Sequence, residues 1–404
     1  MKKFLGTTVL IVIAAIAIGG IFFRERFERI YMVATLFSGA EQYQNFHRTR
    51  EFYPTSEMLP ADAPYVFPAG RGLQLPASFP YGGKSISVDD FLSETDTAAL
   101  LVLHEGEIQF EEYWLTGGPE TPWLSMSVAK SFISALVGIA VHEGKIQSIE
   151  DPITRYVPEL KASAYDGVRI KDILQMSSGA RWNEDYSDPN SDINRFAKIF
   201  AWGGSTDEFT KSLEPENEPG TVARYNSADT QALGMLLVRA TGQPITAYMS
   251  EKIWLPMGAE SSGYWLLDNE NMEMAFAGLN ATARDYAKLG EIYRLGGQFN
   301  GTQIVPDDWT RASVTPDAPH LQPAEGNTMF GLGYGHQWWV PAGTEGEFSA
   351  IGVYNQFIFV NPLRKTVIVK LSANSDYGET ASEESYREHE TIALFRAIAK
   401  SISD

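Results

Sequence analysis

The chain has 404 residues, 44% of them hydrophobic and 21% charged, and it contains no cysteine. That composition is globular, and a chain of this length buries enough apolar surface to fold without a disulfide or a metal. Disulfides, thiol catalysis and zinc–thiolate sites are excluded, and a net charge of −19 repels a phosphate backbone and argues against nucleic-acid binding.

Met1-Lys2-Lys3 precedes an apolar run from Phe4 to Phe23. About 20 helical residues rising about 1.5 Å each would cross a hydrocarbon core of about 30 Å. A transmembrane anchor and a cleaved signal peptide both fit residues 1–23. No A-x-A site closes the run, which continues through Ile21-Phe22-Phe23 to Arg24, so the anchor is favoured. Lys2 and Lys3 oppose Arg24, Arg26 and Arg29 across it, so positive charge does not orient it. The large domain is expected on the periplasmic side of the cytoplasmic membrane, the side that export signals and single N-terminal anchors usually serve. Residues 24–80 read as a connecting arm, rich in Pro and Gly from Tyr53-Pro54 to Pro80. One large domain follows over 81–404.

Ala98 to Leu103 is apolar, His104-Glu105-Gly106-Glu107 supplies a turn, and Ile108 to Trp114 alternates, which predicts a β-hairpin. Ser125 to Glu143 predicts a long apolar helix closed by Gly144. The stretch 145–320 reads as a helical insertion, with a good amphipathic helix at Ala281 to Leu295. Short strands are predicted at Gly335–Val340, Gly346–Gly352, Phe357–Val360 and Thr366–Leu371, with a closing helix from Glu384 to Ser401. Strands at both ends and a helical middle predict one sheet built from both termini, a mixed α/β fold of the α+β kind.

Three segments carry chemistry. In Ser127-Val128-Ala129-Lys130, positions three apart share a helix face, so a hydroxyl and an amine can meet at a helix start. A desolvated lysine can take the serine's proton, and the helix end offers free N–H groups to an oxyanion. A chain this long yields on the order of one S-x-x-K by chance, so the motif alone is weak. The apolar run after it, Phe132 to Ala140, buries the lysine, where it costs free energy unless it is used. Tyr225-Asn226-Ser227 follows the turn Glu218-Pro219-Gly220, and a phenol beside a lysine can be held near its ionised form and shuttle protons. Ser349-Ala350-Ile351-Gly352 reads as a strand whose glycine admits a close backbone, with the Val353 N–H free for a substrate. An aromatic or a glycine at such places is more often a packing detail.

Other signals are plain. No G-x-S-x-G, G-x-G-x-x-G or Walker pattern occurs, and His47, His104, His142, His320, His336 and His389 show no metal-binding spacing. No metal or cofactor is expected, and His336 reads as structural. Arg181 and Trp182 also read as structural. The carboxylate runs Asp188–Asp192 and Glu379–Glu384 read as solvated loops.

Taken together, these segments resemble the serine β-lactamase and penicillin-binding-protein superfamily, in the order of its class C branch. Within it they resemble the 6-aminohexanoate-dimer hydrolases (nylon-oligomer hydrolases) and related esterases. Trp123 to Phe132, Met176 to Trp182, Tyr225-Asn226-Ser227, Ala281 to Asp285 and Gly333 to Trp339 carry the likeness. The resemblance implies a penicillin-binding-like fold: a mostly antiparallel sheet flanked by helices, with an all-helical insertion. It implies acylation of Ser127, proton transfer by Lys130 and Tyr225, and an oxyanion hole from the backbone N–H groups of Ser127 and Val353. By the same likeness Tyr186 and Trp202 would contact substrate, with Ser227 and Gly352 beside them. One departure stands out: where β-lactamases carry K-T-G, this chain has Ala350-Ile351-Gly352. Lys365-Thr366-Val367 lacks the glycine and lies on a later strand. The expected substrates are therefore small esters or linear amides. A D-Ala-D-Ala peptidase or strict β-lactamase, and a catalytically silent tethered binding module, are the rivals.

Overall fold

The computed structural model describes residues 24, 36–39, 42–325, 327, 329–380 and 382–403, excepting the side chains of residues 200–202 and 403. The run Phe4–Phe23, expected as an anchor, lies outside them. Among the described residues no helix is long and apolar enough to cross a membrane.

Two sheets organise the chain, with strands β1 (Thr55–Met58), β2 (Thr97–His104), β3 (Glu107–Tyr113), β4 (Trp123–Leu124), β5 (Gly263–Leu266), β6 (Leu279–Ala281), β7 (Gly333–Tyr334), β8 (Trp339–Val340), β9 (Phe348–Gly352), β10 (Gln356–Asn361) and β11 (Thr366–Ser372). The large sheet runs β7-β8-β9-β10-β11-β2-β3 and the small one β1-β5-β6-β4. Every pairing in both is antiparallel. The hairpin β2–β3 and strands β9 to β11 stand close to where their sequence patterns predict them. The expected joining of the two chain ends is the β11–β2 pairing, from Thr366 opposite His104 to Leu371 opposite Ala99.

Both faces of the large sheet are covered, and the period of two decides what goes where. Along β10, Phe357 and Phe359 join one apolar cluster while Ile358 and Val360 join the other. Helix α3 (Ala283–Arg294) packs on one face. It lies so close that a Cβ on Gly290 would come 2.5 Å from Val367 Cγ1. The other face takes α4 (Glu388–Ser403), whose Phe395 ring stands 5.4 Å from both Phe357 and Phe359. The helices α1 (Ala129–His142) and α2 (Ser227–Thr241) pack together on the α3 side.

The structure departs from the sequence reading in four places. The insertion is not all-helical: β5 and β6 lie within it and complete the small sheet. These strands hold three or four residues, all buried, too few for a period to show. Residues 42–80, read as an arm, pack into the body: Phe46, Met58 and Phe67 are buried, and β1 pairs with β5. Gly335–Val340 is a strand only at Trp339–Val340, because Gln337 turns at φ 61° and its amide binds Leu174 O at 2.8 Å. The C-terminal helix breaks at Arg387, φ 53°, into Glu383–Tyr386 and α4.

Candidate active site

Ser127 sits on a single 3-10 turn, Met126–Val128, that leads into α1. The residue before it, Met126, adopts φ 46°, a conformation a side chain resists. Two contacts hold the turn: Ser125 N donates to Leu279 O at 2.8 Å, and Ser125 Oγ donates to Met126 O at 2.9 Å. One helical step on, Lys130 Nζ lies 2.8 Å from Ser127 Oγ. It also donates to Phe276 O at 3.0 Å and lies 3.2 Å from Ser227 Oγ. Lys130 is 1% exposed. Burial pushes its amine down to about 7, while the Glu184 charge pulls it up. Close to neutrality, then, Lys130 can be an uncharged amine with a lone pair aimed at Ser127.

Tyr225 comes from the segment just before α2. Asn226 caps that helix: its side chain accepts from Ala228 N at 2.8 Å and donates to Asp229 Oδ1 at 2.9 Å. The Tyr225 ring stacks on Trp339 at 5.0 Å, and Lys130 Nζ lies 5.1 Å from its centroid. Burial first, and the Glu184 charge second, hold the phenol well above its ordinary value, against a hydrogen bond to Ser127. The expectation of a phenol near its ionised form is therefore corrected. Lys130 is the group able to act as base near neutrality, and Tyr225 is a neutral phenol that can pass a proton on.

Behind these groups lies a carboxylate that sequence reading did not single out. Glu184 Oε1 accepts from Ser227 Oγ at 2.7 Å and from Tyr186 Oη at 2.7 Å. Its Oε2 accepts from Ser227 N at 3.1 Å and from Trp182 Nε1. Trp182, read as structural, thus helps to fix Glu184. A chain of contacts runs from Ser127 through Lys130 and Ser227 to Glu184.

The end of β9 closes the site from the other side. A Cβ on Gly352 would meet Ser125 O at 2.8 Å and Ser127 N at 3.0 Å, so only a glycine lets the strand abut the Ser127 turn. Val353 follows in a tight turn in which Tyr354 and Asn355 both have φ 64°. Asn355 anchors it, donating to Tyr386 O and accepting from Asn374, each at 2.7 Å.

A cleft opens on Ser127, lined by Glu184, Tyr186, Tyr225, Ile351 and Val353. Trp339, Phe330, Tyr377, Tyr386 and Glu388 complete its walls. The structure thus brings together Ser127, Lys130, Tyr225, Ser227, Gly352, Val353 and Tyr186. The Trp202 side chain lies outside the described residues; among those described, the tryptophan on the cleft wall is Trp339. His336 lines no part of it: it is buried 5.0 Å from the Trp309 ring, and burial pushes its imidazole down to about 4. A signal for Glu184 did exist, two residues before Tyr186 in Glu184-Asp185-Tyr186. Tyr377 comes from a turn, Tyr386 ends the short helix Glu383–Tyr386 and Glu388 opens α4, and none of the three carries such a signal.

A family model described as Beta-lactamase matches residues 88–392. The 6-aminohexanoate-dimer hydrolase of Paenarthrobacter ureafaciens is 31% identical over 340 residues, covering 82% of this chain and 85% of that protein. Among solved structures, a Bacillus anthracis protein described as a 6-aminohexanoate-dimer hydrolase superposes with a TM-score of 0.80 at 24% identity, over 91% of this chain and 96% of the other. EstCE1, described as a hydrolase with promiscuous acyltransferase activity, superposes with a TM-score of 0.59 at 15% identity, over 78% of this chain and 96% of its own. With the family model spanning most of the sequence and a relative aligned along most of both chains, the protein belongs to the beta-lactamase family and is a serine hydrolase.

Proposed function

We propose that the protein hydrolyses small esters or linear amides through an acyl-enzyme on Ser127. The observation that carries this reading is the buried Lys130 amine 2.8 Å from Ser127 Oγ. In the first half-reaction the Ser127 hydroxyl proton passes to the neutral Lys130 amine as Oγ bonds to the substrate carbonyl carbon. The backbone N–H groups of Ser127 and Val353 take the negative charge that forms on the carbonyl oxygen. Collapse of the tetrahedral adduct breaks the bond to the leaving group. That group receives a proton from the Tyr225 phenol, which is refilled from the Lys130 ammonium. Water then attacks the acyl-enzyme, and the same groups run the proton path in reverse. The amide side of this reading is supported by the name of the Paenarthrobacter relative, a 6-aminohexanoate-dimer hydrolase.

The test compares the wild type with Ser127→Ala on short-chain p-nitrophenyl esters, with intact mass to catch an acyl adduct. A loss of about a thousandfold or more, with an adduct in the wild type only, is the expected result. Equal rates, or no reaction in either, would leave a tethered binding module as the better reading.

We also place the catalytic domain on the outer side of the cytoplasmic membrane, held by the run Phe4–Phe23. Its support is the length and apolarity of that run. Added protease should cleave the domain in spheroplasts of an expressing cell. Protection until lysis would reject this placement.

A further inference from the structure

Gln356 opens β10, directly opposite Gly352 across the β9–β10 hairpin, and it is fully buried. Its side-chain amide is engaged at both ends. Nε2 donates to Val353 O at 3.3 Å, to Tyr354 O at 3.1 Å and to Ser372 O, at the end of β11, at 2.5 Å. Oε1 accepts from Trp123 Nε1 at 3.0 Å and from Ser372 N at 3.1 Å. A carboxamide offers two N–H groups and two acceptor lone pairs, so none is left over and one N–H is shared between the two loop carbonyls.

The identity of these partners matters more than their number. Val353 and Tyr354 belong to the loop that carries one proposed oxyanion donor, the Val353 N–H. Trp123 lies on β4, four residues before Ser127, which carries the other. One amide therefore ties together the two backbone segments whose spacing sets the size of the oxyanion hole. The loop needs such a tie, because Tyr354 and Asn355 both sit at φ 64°. That conformation is costly for a residue with a side chain and persists only where the surroundings impose it. An aromatic ring closes the brace from outside: Phe46 stacks on Trp123 at 5.1 Å and meets Tyr354 edge-on at 5.4 Å. The segment expected as a connecting arm thus packs on both ends of the brace.

We propose that Gln356 is a positioning residue for acyl transfer: its amide holds the Val353 loop against the Ser127 turn so that both backbone N–H groups reach one oxyanion. The kinetic part of this inference rests on the acyl-enzyme reading; the brace itself does not.

Gln356→Met tests it, since methionine nearly keeps the volume and removes every one of these hydrogen bonds. Rates on a short-chain p-nitrophenyl ester are taken per active site, counted by intact mass after exhaustive fluorophosphonate labelling, so that a smaller folded fraction cancels. Misplacing one donor should lower kcat about ten- to a hundredfold. KM should change less, because the ground-state carbonyl carries little charge. An alkylboronic acid, which adds to Ser127 as a tetrahedral anion, should bind more weakly by a similar factor. The acid limb of the pH profile, set by Lys130, should stay in place. Wild-type kcat per site and wild-type boronate affinity in the folded variant overturn the proposal, whatever the loss of thermal stability. If Gln356→Met does not fold, Gln356→Glu takes its place with the same expectations, because the ionised side chain keeps the shape and the Oε1 contacts and lacks the donors. Crystal structures of wild type and variant read the brace without turnover. The Val353–Asn355 loop should shift relative to the Ser127 turn, and a loop that stays in place overturns the brace. A wild type that hydrolyses no ester, beside a variant whose loop has shifted, keeps the brace and loses the acyl-enzyme reading.

Discussion

The Ser227 hydroxyl donates to Glu184 Oε1 at 2.7 Å while standing 3.2 Å from Lys130 Nζ. One hydroxyl therefore joins Lys130, the proposed base, to a carboxylate that raises its affinity for protons. Ester kcat/KM should climb with pH through about 7, because only the uncharged Lys130 amine can accept the serine proton. Removing the Glu184 charge takes away a raising influence, so in Glu184→Gln this acid limb should move to lower pH. The plateau should also fall, by about ten- to a hundredfold, because the new amide N–H groups face existing donors at Ser227 N or Trp182. A pH profile of kcat/KM for both proteins reads the two effects separately. A limb that stays in place would mean that Glu184 does not reach Lys130 electrostatically.

Lys130 also links stability to pH. Its folded value is lowered from 10.5 to about 7, chiefly by burial. Between those values the unfolded chain holds a proton that the native amine has lost, so this residue's contribution to stability rises with pH across that window. Lys130→Met keeps the volume and removes the titration. The variant should be inactive and more stable than wild type, by at most about 5 kcal/mol at neutral pH and below. The advantage should shrink as pH rises towards 10.5. Denaturant midpoints at several pH values measure it, and a pH-independent difference would exclude a buried neutral lysine.

Gly352→Ala tests the closure of the site by β9. The added carbon would lie 2.8 Å from Ser125 O and 3.0 Å from Ser127 N, both backbone atoms. Strand and Ser127 turn must separate, which spoils the proposed pair of oxyanion donors. Losing one such donor costs about 2.7–4 kcal/mol, so kcat should fall about a hundred- to a thousandfold. Gly138→Ala serves as a control away from the cleft, because its new carbon meets the Trp309 ring at 2.4 Å. That substitution should cost about 1–3 kcal/mol of stability and change kcat little. Equal kinetic losses in the two variants would show that Gly352 is merely structural.

What could be seen in advance follows from how each group reaches the site. Ser127 and Lys130 are neighbours by helical geometry, so their spacing is written in the chain. The hairpin β2–β3 and the strands β9 to β11 were legible because alternation and turn residues mark them locally. The small sheet was not: β1, β4, β5 and β6 are short, and β1 lies about two hundred residues from β5. Tyr225 could be located but its protonation could not, since burial and the Glu184 charge arise only in the fold. Glu388 sits in a helix whose periodicity speaks only of packing. Its place on the cleft depends on the break at Arg387 and on the tethering of Asn355 to Tyr386.

Cephalosporins should be poor substrates. Where the family resemblance would place K-T-G, this chain has Ala350-Ile351-Gly352, in which Ile351 faces the cleft and Ala350 the opposite core cluster. The lysine of Lys365-Thr366-Val367 cannot substitute, because it is paired with Glu105 at the far end of the β2–β3 hairpin. Among the described residues no lysine or arginine lines the cleft to hold a carboxylate, while Glu184 and Glu388 both line it. A lost charge-assisted hydrogen bond costs about 1.5–3 kcal/mol, about ten- to a hundredfold in binding, before any repulsion is counted. A chromogenic cephalosporin should therefore be hydrolysed at least about a hundredfold less efficiently than a neutral short-chain ester. Glu388→Gln should narrow that gap by lifting part of the repulsion. Cephalosporin turnover as efficient as ester turnover would reverse this reading of the cleft and return the strict β-lactamase as the better description of its chemistry.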